Sequence, residues 1–337
     1  MSLYNKSEIQ KESKLLTKWF AENSRPLPWR STKDPYRIWI SEIMLQQTTV
    51  TAVIPYYKRF IKSFPNSKTL AKANIEDIYE HWSGLGYYSR ARSIHKASIE
   101  LSNMKKFPSS YLELIKLPGF GDYTSRAVSS QAFGERVGVV DGNVIRVLSR
   151  RFGLQSEWWK TKDKKILQEI ADTFVTKEDP STINQSLMEL GATICTPKSP
   201  TCFICPINKK CVARKDDLIE QLPLKKKKKE TEIWHWEAEL FEDSKGLAFV
   251  TNEYAPFLKK QLILPGKAKL RKTVPKDFDF QHAITHHKIY VSLTRKKSNF
   301  SKNSKSKYIW IPRKHLKAKV PFSLIQKAIA IGLGDRK

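Results

Sequence analysis

Every cysteine of this 337-residue chain falls in one short stretch, Cys195, Cys202, Cys205 and Cys211, spaced C-x6-C-x2-C-x5-C. Four thiols gathered in one loop can close around a single metal centre, because the x2 pair bites one atom and the longer arms complete the cage. Zinc takes the same ligand set, but structural zinc sites usually show two short arms, and here only one arm is short. The spacing favours an iron–sulfur cluster over zinc. A disulfide pair is the weakest reading, since nothing marks the chain as secreted.

Around that loop the chain has two textures. Residues 1–223 read as helical: Ile40, Ile43, Met44, Ile54, Tyr57, Ile61 and Phe64 recur at helical spacing, with Pro55 starting a turn of helix. Further amphipathic stretches cover 68–82, 88–103, 109–116, 122–133, 142–152, 163–175 and 180–194, separated by Pro65, Gly84, Gly86, Pro108, Gly119, Gly121, Gly138 and Pro180. The lysine run at 225–229 marks a linker over 224–232. Beyond it, Trp234, Trp236, Ala238 and Leu240 alternate as on one face of a strand, and 248–251, 289–293 and 308–311 also read as strands. A final helix is expected over about 321–332, and 295–307 as a basic loop. Residues 233–337 therefore predict a smaller α+β domain.

Residues 1–20 contain no apolar segment of the signal-peptide kind, and no run of about eighteen apolar residues exists anywhere. A soluble, intracellular protein with no membrane partner is expected. Lysine and arginine number 61 against 33 acidic residues, a net charge of +28. The excess occurs in both parts, which points to a polyanionic partner, most simply nucleic acid.

Leu117-Pro-Gly-Phe-Gly-Asp-Tyr-Thr124 places a G-x-G turn between two helical patterns. Such a turn exposes backbone N–H groups beside a helix N-terminus, a seat for phosphate at Gly119 and Gly121. Some twenty residues on, Val140-Asp141-Gly-Asn-Val144 makes another turn into a helix. On residue type alone, Asp141 is as well explained by a plain helix N-cap as by catalysis. Glu42, Gln46 and Gln47 alone would be ordinary solvated helix residues.

The order of these blocks resembles the helix–hairpin–helix DNA glycosylases and, within them, the MutY adenine glycosylases. The matching segments are Leu27-Pro-Trp-Arg30, Trp39-Ile-Ser-Glu-Ile-Met-Leu-Gln-Gln-Thr48, Gly84-Leu-Gly-Tyr-Tyr-Ser-Arg-Ala-Arg92, the hairpin, Asp141-Gly-Asn143 and Met188-Glu-Leu-Gly191 before the cysteines. The resemblance implies an all-α glycosylase region, with a six-helix barrel over about 25–135. It places a cluster domain over 1–24 and 136–223, holding one 4Fe–4S cluster on the four cysteines of loop 195–211. Endonuclease III shares that fold, but its lyase chemistry needs a lysine two residues beyond the second hairpin glycine to form an imine with the sugar. Tyr123 stands there, and a phenol forms no imine.

Releasing adenine from deoxyribose requires a proton on the departing base and support for an oxocarbenium-like sugar. Glu42, among Ile40, Ile43 and Met44, is expected to be desolvated, raised in pKa and protonated as the general acid. Asp141, at a helix start, is expected to be kept ionised by N–H donors and to stabilise the cation. The resemblance implies that Tyr123 and Asn143 orient sugar, water and Asp141. It also implies that Trp29, Arg30, Leu45 and Gln185 surround the flipped adenine, and that Gln47 and Tyr87 enter the duplex beside the lesion. Trp158, Trp159, Trp234 and Trp236 read as core or interface residues.

The final domain resembles the MutT-like (Nudix-fold) reader of these glycosylases and lacks the Nudix catalytic pattern G-x5-E-x7-R-E-x2-E-E. Where the family carries Phe-Ser-His to inspect 8-oxoguanine, this chain has Ile284-Thr285-His286. The nearby His282, His286 and His287 show no partner carboxylate at helical spacing, which argues against a metal there. Together these readings predict a monomeric, monofunctional base-excision glycosylase. Its partner is duplex DNA carrying adenine opposite 8-oxoguanine or guanine, and its expected place is the bacterial cytoplasm, associated with the nucleoid. The alternatives are an endonuclease III-like glycosylase/lyase and a catalytically inactive cluster-bearing DNA-binding protein.

Overall fold

The computed structural model describes residues 4–227, 229–297 and 308–334. Most of the basic loop expected over 295–307 lies outside them. The chain divides into two units, Met1–Ala73 with Ser89–Lys227, and Asn74–Tyr88 with Lys228–Lys337.

The first unit is helical: α1 (Lys6–Asn23), α2 (Pro35–Leu45), α3 (Val50–Ser63), α4 (Ser67–Lys72), most of α6 (Tyr88–Ser102), α7 (Tyr111–Leu114), α8 (Asp122–Phe133), α9 (Gly142–Phe152), α10 (Thr161–Phe174), α11 (Pro180–Thr193) and α12 (Val212–Lys215). Local chemistry starts several of them. Asp34 caps α2 by accepting from the Tyr36 and Arg37 amides, with Pro35 preset for the first turn. Asp141 caps α9 and Asp179 caps α11. Ser110 and Glu113 form a reciprocal capping box on α7, the helix leading into the hairpin.

Apolar burial sets the packing. Trp39 of α2 stacks on Phe120 of the hairpin at 5.0 Å between ring centroids. Ile9 and Leu16 of α1 pack into a core with Val144, Leu148, Leu167, Phe174, Ile183 and Leu187, so the N-terminal helix closes onto α9–α11. Arg151 of α9 fixes that closure, donating to Glu12 of α1 at 2.7 Å and pairing also with Glu8.

The second unit joins α5 (Ile75–Trp82) to a mixed seven-stranded sheet and two C-terminal helices, α13 (Leu316–Lys319) and α14 (Ser323–Leu333). The strands are β1 (Glu232–Asp243), β2 (Gly246–Thr251), β3 (Leu262–Ile263), β4 (Gly266–Arg271), β5 (Phe280–Ile284), β6 (His287–Lys297) and β7 (Ile309–Ile311). The main order is β3-β2-β1-β6-β5, with β4 on β1 and β7 on β2. β1 runs parallel to β6, pairing Trp236 with Val291, while β5 and β6 form an antiparallel hairpin. Trp236, Ala238 and Leu240 alternate inward and share a core with Phe249, Ile289, Val291 and α14 residues Leu324, Ile325 and Ala328.

Two features differ from the sequence expectation. The single helix expected over 68–82 breaks into α4 and α5, because Ala73 and Asn74 are both extended. Residues 74–88, expected within the helical region, group with the second unit, where Lys319 of α13 donates to Glu76 of α5 at 2.5 Å.

Candidate active site

A cavity of about 890 Å³ in the helical unit is lined by Trp29, Arg30, Glu42, Leu45, Gln47, Tyr123, Asp141, Asn143 and Gln185. Residues as far apart in sequence as 29 and 185 meet there. Tyr87, Thr285 and His286 belong to the second unit and do not line it.

Glu42 sits on the inner face of α2 at 4% exposure. Burial pushes its carboxyl well above the ordinary range, and the charge of Asp141 pushes the same way. Hydrogen bonds from Tyr123 and Gln131 and the charge of Arg30 oppose the rise. Tyr123 Oη donates to Oε2 at 2.7 Å and Gln131 Nε2 donates to Oε1 at 2.9 Å. Both partners come from α8, two helical turns apart. Tyr123 also reaches Met188 Sδ at 3.5 Å, so its hydroxyl can turn there and accept from a protonated Glu42. Burial and the nearby carboxylates raise the Tyr123 phenol far above its ordinary value, so it stays neutral.

Asp141 Oδ1 accepts from the Val144 amide at 2.7 Å, and Oδ2 accepts from Asn143 Nδ2 at 2.9 Å. The sequence reading expects such donors to hold this carboxyl low. Burial outweighs them, and the pKa moves upward. Both carboxyls are therefore raised, chiefly by burial. Glu42 is the more deeply buried of the two. Asp141 is held by two N–H donors, which oppose the rise that burial causes.

Behind Asp141 the chain is braced. Arg146 Nη2 donates to Asn143 Oδ1 at 2.9 Å and to Gly191 O at 2.7 Å, and its Nε donates to Cys195 O at 2.7 Å. A Cβ on Gly191 would fall 2.6 Å from Asn143 Cβ, so glycine is what lets α11 approach α9 so closely.

Arg30 is turned by Glu189 of α11, which is 1% exposed. Arg30 Nη2 donates to Oε2 at 2.8 Å, and Arg25 grips both carboxylate oxygens at 2.7 and 2.8 Å. Burial alone would raise Glu189, but the two guanidinium groups overcome it and hold the carboxyl at about 2. Trp29 is buried edge-on to Tyr57 at 5.3 Å, and the Gln185 amide donates to Ser181 Oγ at 3.1 Å.

Each unit carries backbone strain. Gln47, Tyr87 and Thr285 have φ of 58°, 48° and 56°, the left-handed region that non-glycine residues rarely enter. Tyr87 is 55% exposed, and Thr285 with His286 forms the two-residue turn between β5 and β6. The carbonyls left open at the end of α2 are satisfied by buried Arg90, whose Nη1 donates to Ile43 O, Met44 O and Gln46 O at 2.7, 3.0 and 2.6 Å. In the hairpin, Gly119 has φ 78° and a Cβ there would meet Ser93 Cβ at 2.5 Å. At Gly121, which caps α8, a Cβ would meet nothing in the chain.

The four cysteines are half-buried and unpaired by disulfide: Cys195 follows α11, Cys202 opens a short turn that Cys205 ends, and Cys211 ends a second one over Asn208–Lys210. Burial pushes the Cys205 thiol up to about 12, and each of the other three thiols adds to the rise, so the four converge. Arg150 donates to Thr196 O at 2.7 Å and lies 3.5 Å from Cys195 Sγ, while Arg151 donates to Lys210 O at 2.6 Å. The convergence and the adjoining arginines fit a buried, negatively charged metal–thiolate group.

Gln131, Glu189 with Arg25, Arg90, Arg146 and Met188 were not singled out from sequence. Each acts through a partner distant in the chain, and no local spacing marks it.

Residues 40–177 match the HhH-GPD superfamily base excision DNA repair protein family. The chain is 34% identical over 313 residues to an adenine DNA glycosylase of Buchnera aphidicola subsp. Baizongia pistaciae, covering 87% of this chain and 88% of that protein. It is 42% identical over 220 residues to an adenine DNA glycosylase of Buchnera aphidicola subsp. Schizaphis graminum, covering 64% of this chain and 63% of that protein's length. A solved thermostable thymine-DNA glycosylase aligns over 62% of this chain and 98% of its own, at 30% identity and a TM-score of 0.57. The helical fold is thus common to enzymes named for different bases, whereas the match running through both units is to an adenine glycosylase. On these grounds the chain belongs to the HhH-GPD superfamily and, within it, to the adenine DNA glycosylase family.

Proposed function

We propose that this protein is a monofunctional DNA glycosylase that hydrolyses the N-glycosidic bond of adenine opposite 8-oxoguanine or guanine in duplex DNA. The observation that carries the reading is buried Glu42, paired with Tyr123 at the position where a lyase would need lysine. Adenine flips into the cleft beside Trp29, Arg30, Leu45 and Gln185, while Gln47 and Tyr87 fill the space it leaves. Protonated Glu42 gives its proton to the purine as the glycosidic bond lengthens, and then takes a proton from the attacking water. Asp141, steadied by Asn143 and the Val144 amide, carries the charge that offsets the sugar cation. Tyr123 aligns the Glu42 carboxyl throughout.

The cysteines would hold one 4Fe–4S cluster, a reading supported by their spacing and by the adjoining Arg150 and Arg151. Saturated by thiolates, it would serve to fix the basic loop 198–210 toward the phosphate backbone. The hairpin from Gly119 to Gly121 would seat a phosphate, since the N-terminus of α8 is open at Gly121. The sheet unit, lacking the Nudix catalytic pattern, would read the opposing base through Thr285 and His286.

The test is incubation with a duplex carrying one adenine opposite 8-oxoguanine. Free adenine and a strand that breaks only after alkali are expected. Strand scission without alkali, with a borohydride-trapped covalent adduct, would show a lyase instead. No adenine release would leave a DNA-binding protein.

A further inference from the structure

We propose that Glu232, His286 and His287 form a binding site for a divalent transition ion, zinc by ligand chemistry, beside the β5–β6 turn. Neighbouring histidines in the sequence show no carboxylate within local reach. The sheet supplies one: β1 runs parallel to β6 with Glu232 opposite His287, and the Glu232 amide donates to His286 O at 2.9 Å. Glu232 Oε1 lies 3.6 Å from His286 Nε2, and Oε2 lies 3.0 Å from His287 Nδ1. One ligand atom from each residue falls within 4.8 Å of the other two. Ligands around tetrahedral zinc stand about 3.4 Å apart, between the two measured separations.

His287 is 8% exposed, and its Nδ1 faces the Glu232 carboxylate at 3.0 Å. A buried imidazole nitrogen aimed at a carboxylate oxygen presents two ligand atoms to one point. Trp234 Nε1 donates to Glu232 Oε2 at 2.8 Å, the kind of outer hydrogen bond that orients a ligating carboxylate. Lys229 adds a nearby positive charge that works against the ion. Glu232 and His286 keep partial exposure on the outer side, so water can complete the coordination. Two imidazoles and one carboxylate suit zinc better than calcium or magnesium, which prefer oxygen alone.

The test uses the full chain, without DNA, so it stands apart from any reading of the turn as a lesion sensor. Protein of known iron content is dialysed against micromolar zinc, and both metals are measured by atomic emission. The parent is expected to take up one zinc per chain with its iron unchanged. His287→Ala and the near-isosteric Glu232→Gln should each weaken uptake by at least the roughly 10–100-fold that loss of an orienting partner costs. His282→Ala should leave it intact. Cobalt in place of zinc should give weak visible bands without thiolate charge transfer. No uptake, equal uptake in both variants, zinc gained only as iron is lost, or thiolate-type cobalt bands would overturn the proposal.

Discussion

Glu189 shows how a single buried carboxylate organises this site. Its pairing with Arg25 and Arg30 lowers its pKa from 4.5 to about 2. A depressed carboxyl contributes stability that is present above its unfolded value and lost as pH falls through the folded one. The window here runs from about pH 4.5 down to about 2. A shift of this size corresponds to about 3 kcal/mol. Glu189→Gln is therefore expected to lower the urea midpoint by that equivalent at pH 7, and to converge on the parent as pH falls through the window. A gap independent of pH would mean the carboxylate charge is not what matters. The sequence marked Glu189 only as part of a recognisable block, because its two arginines lie some 160 residues earlier. Glu42 was easier to read, since the apolar residues beside it on α2 are the same ones that desolvate it.

The segments between regular elements hold the exposed chemistry. Arg90 on α6 satisfies three carbonyls at the end of α2 and so shapes the turn carrying Gln46 and Gln47. Lysine cannot span all three, and Arg90→Lys should cost about 2–3 kcal/mol, read as a lower thermal midpoint, and slow turnover by displacing Gln47. An unchanged midpoint would show the carbonyls find water instead. At the β5–β6 turn, Thr285 holds φ 56° despite its branched Cβ. Thr285→Gly should relieve about 1 kcal/mol of strain while weakening preference for 8-oxoguanine over guanine, measured on matched duplexes. Retained preference with equal stability would remove this turn from recognition. The helices were legible from apolar spacing and caps. β4 and β5 were not: Gly266–Arg271 is mostly exposed and polar, and only pairing with β1 makes it a strand. Likewise Glu232 meets His287 through a parallel ladder that no local pattern announces.

Charge and topology act over the whole chain. With +28 net charge, binding to duplex DNA should weaken by roughly 10³–10⁵ between 50 and 200 mM salt if six to ten phosphates are engaged, measurable by fluorescence anisotropy. A flat salt dependence would mean the basic surface does not contact the backbone. The division into helical and sheet parts was readable from the change of periodicity at the lysine run. The assignment of 74–88 to the sheet unit was not, because α5 has an ordinary amphipathic pattern and only its packing on α13 places it. In the proposed reaction one proton, held by Glu42 inside the cleft, is delivered to adenine. Single-turnover release of adenine from an adenine:8-oxoguanine duplex, followed against pH, tests it most directly. The rate should fall as pH rises through the raised pKa of Glu42, and Glu42→Gln should lose roughly 10²–10⁴ in rate together with that pH dependence. A Glu42→Gln enzyme that matched the parent in rate and pH profile would contradict it.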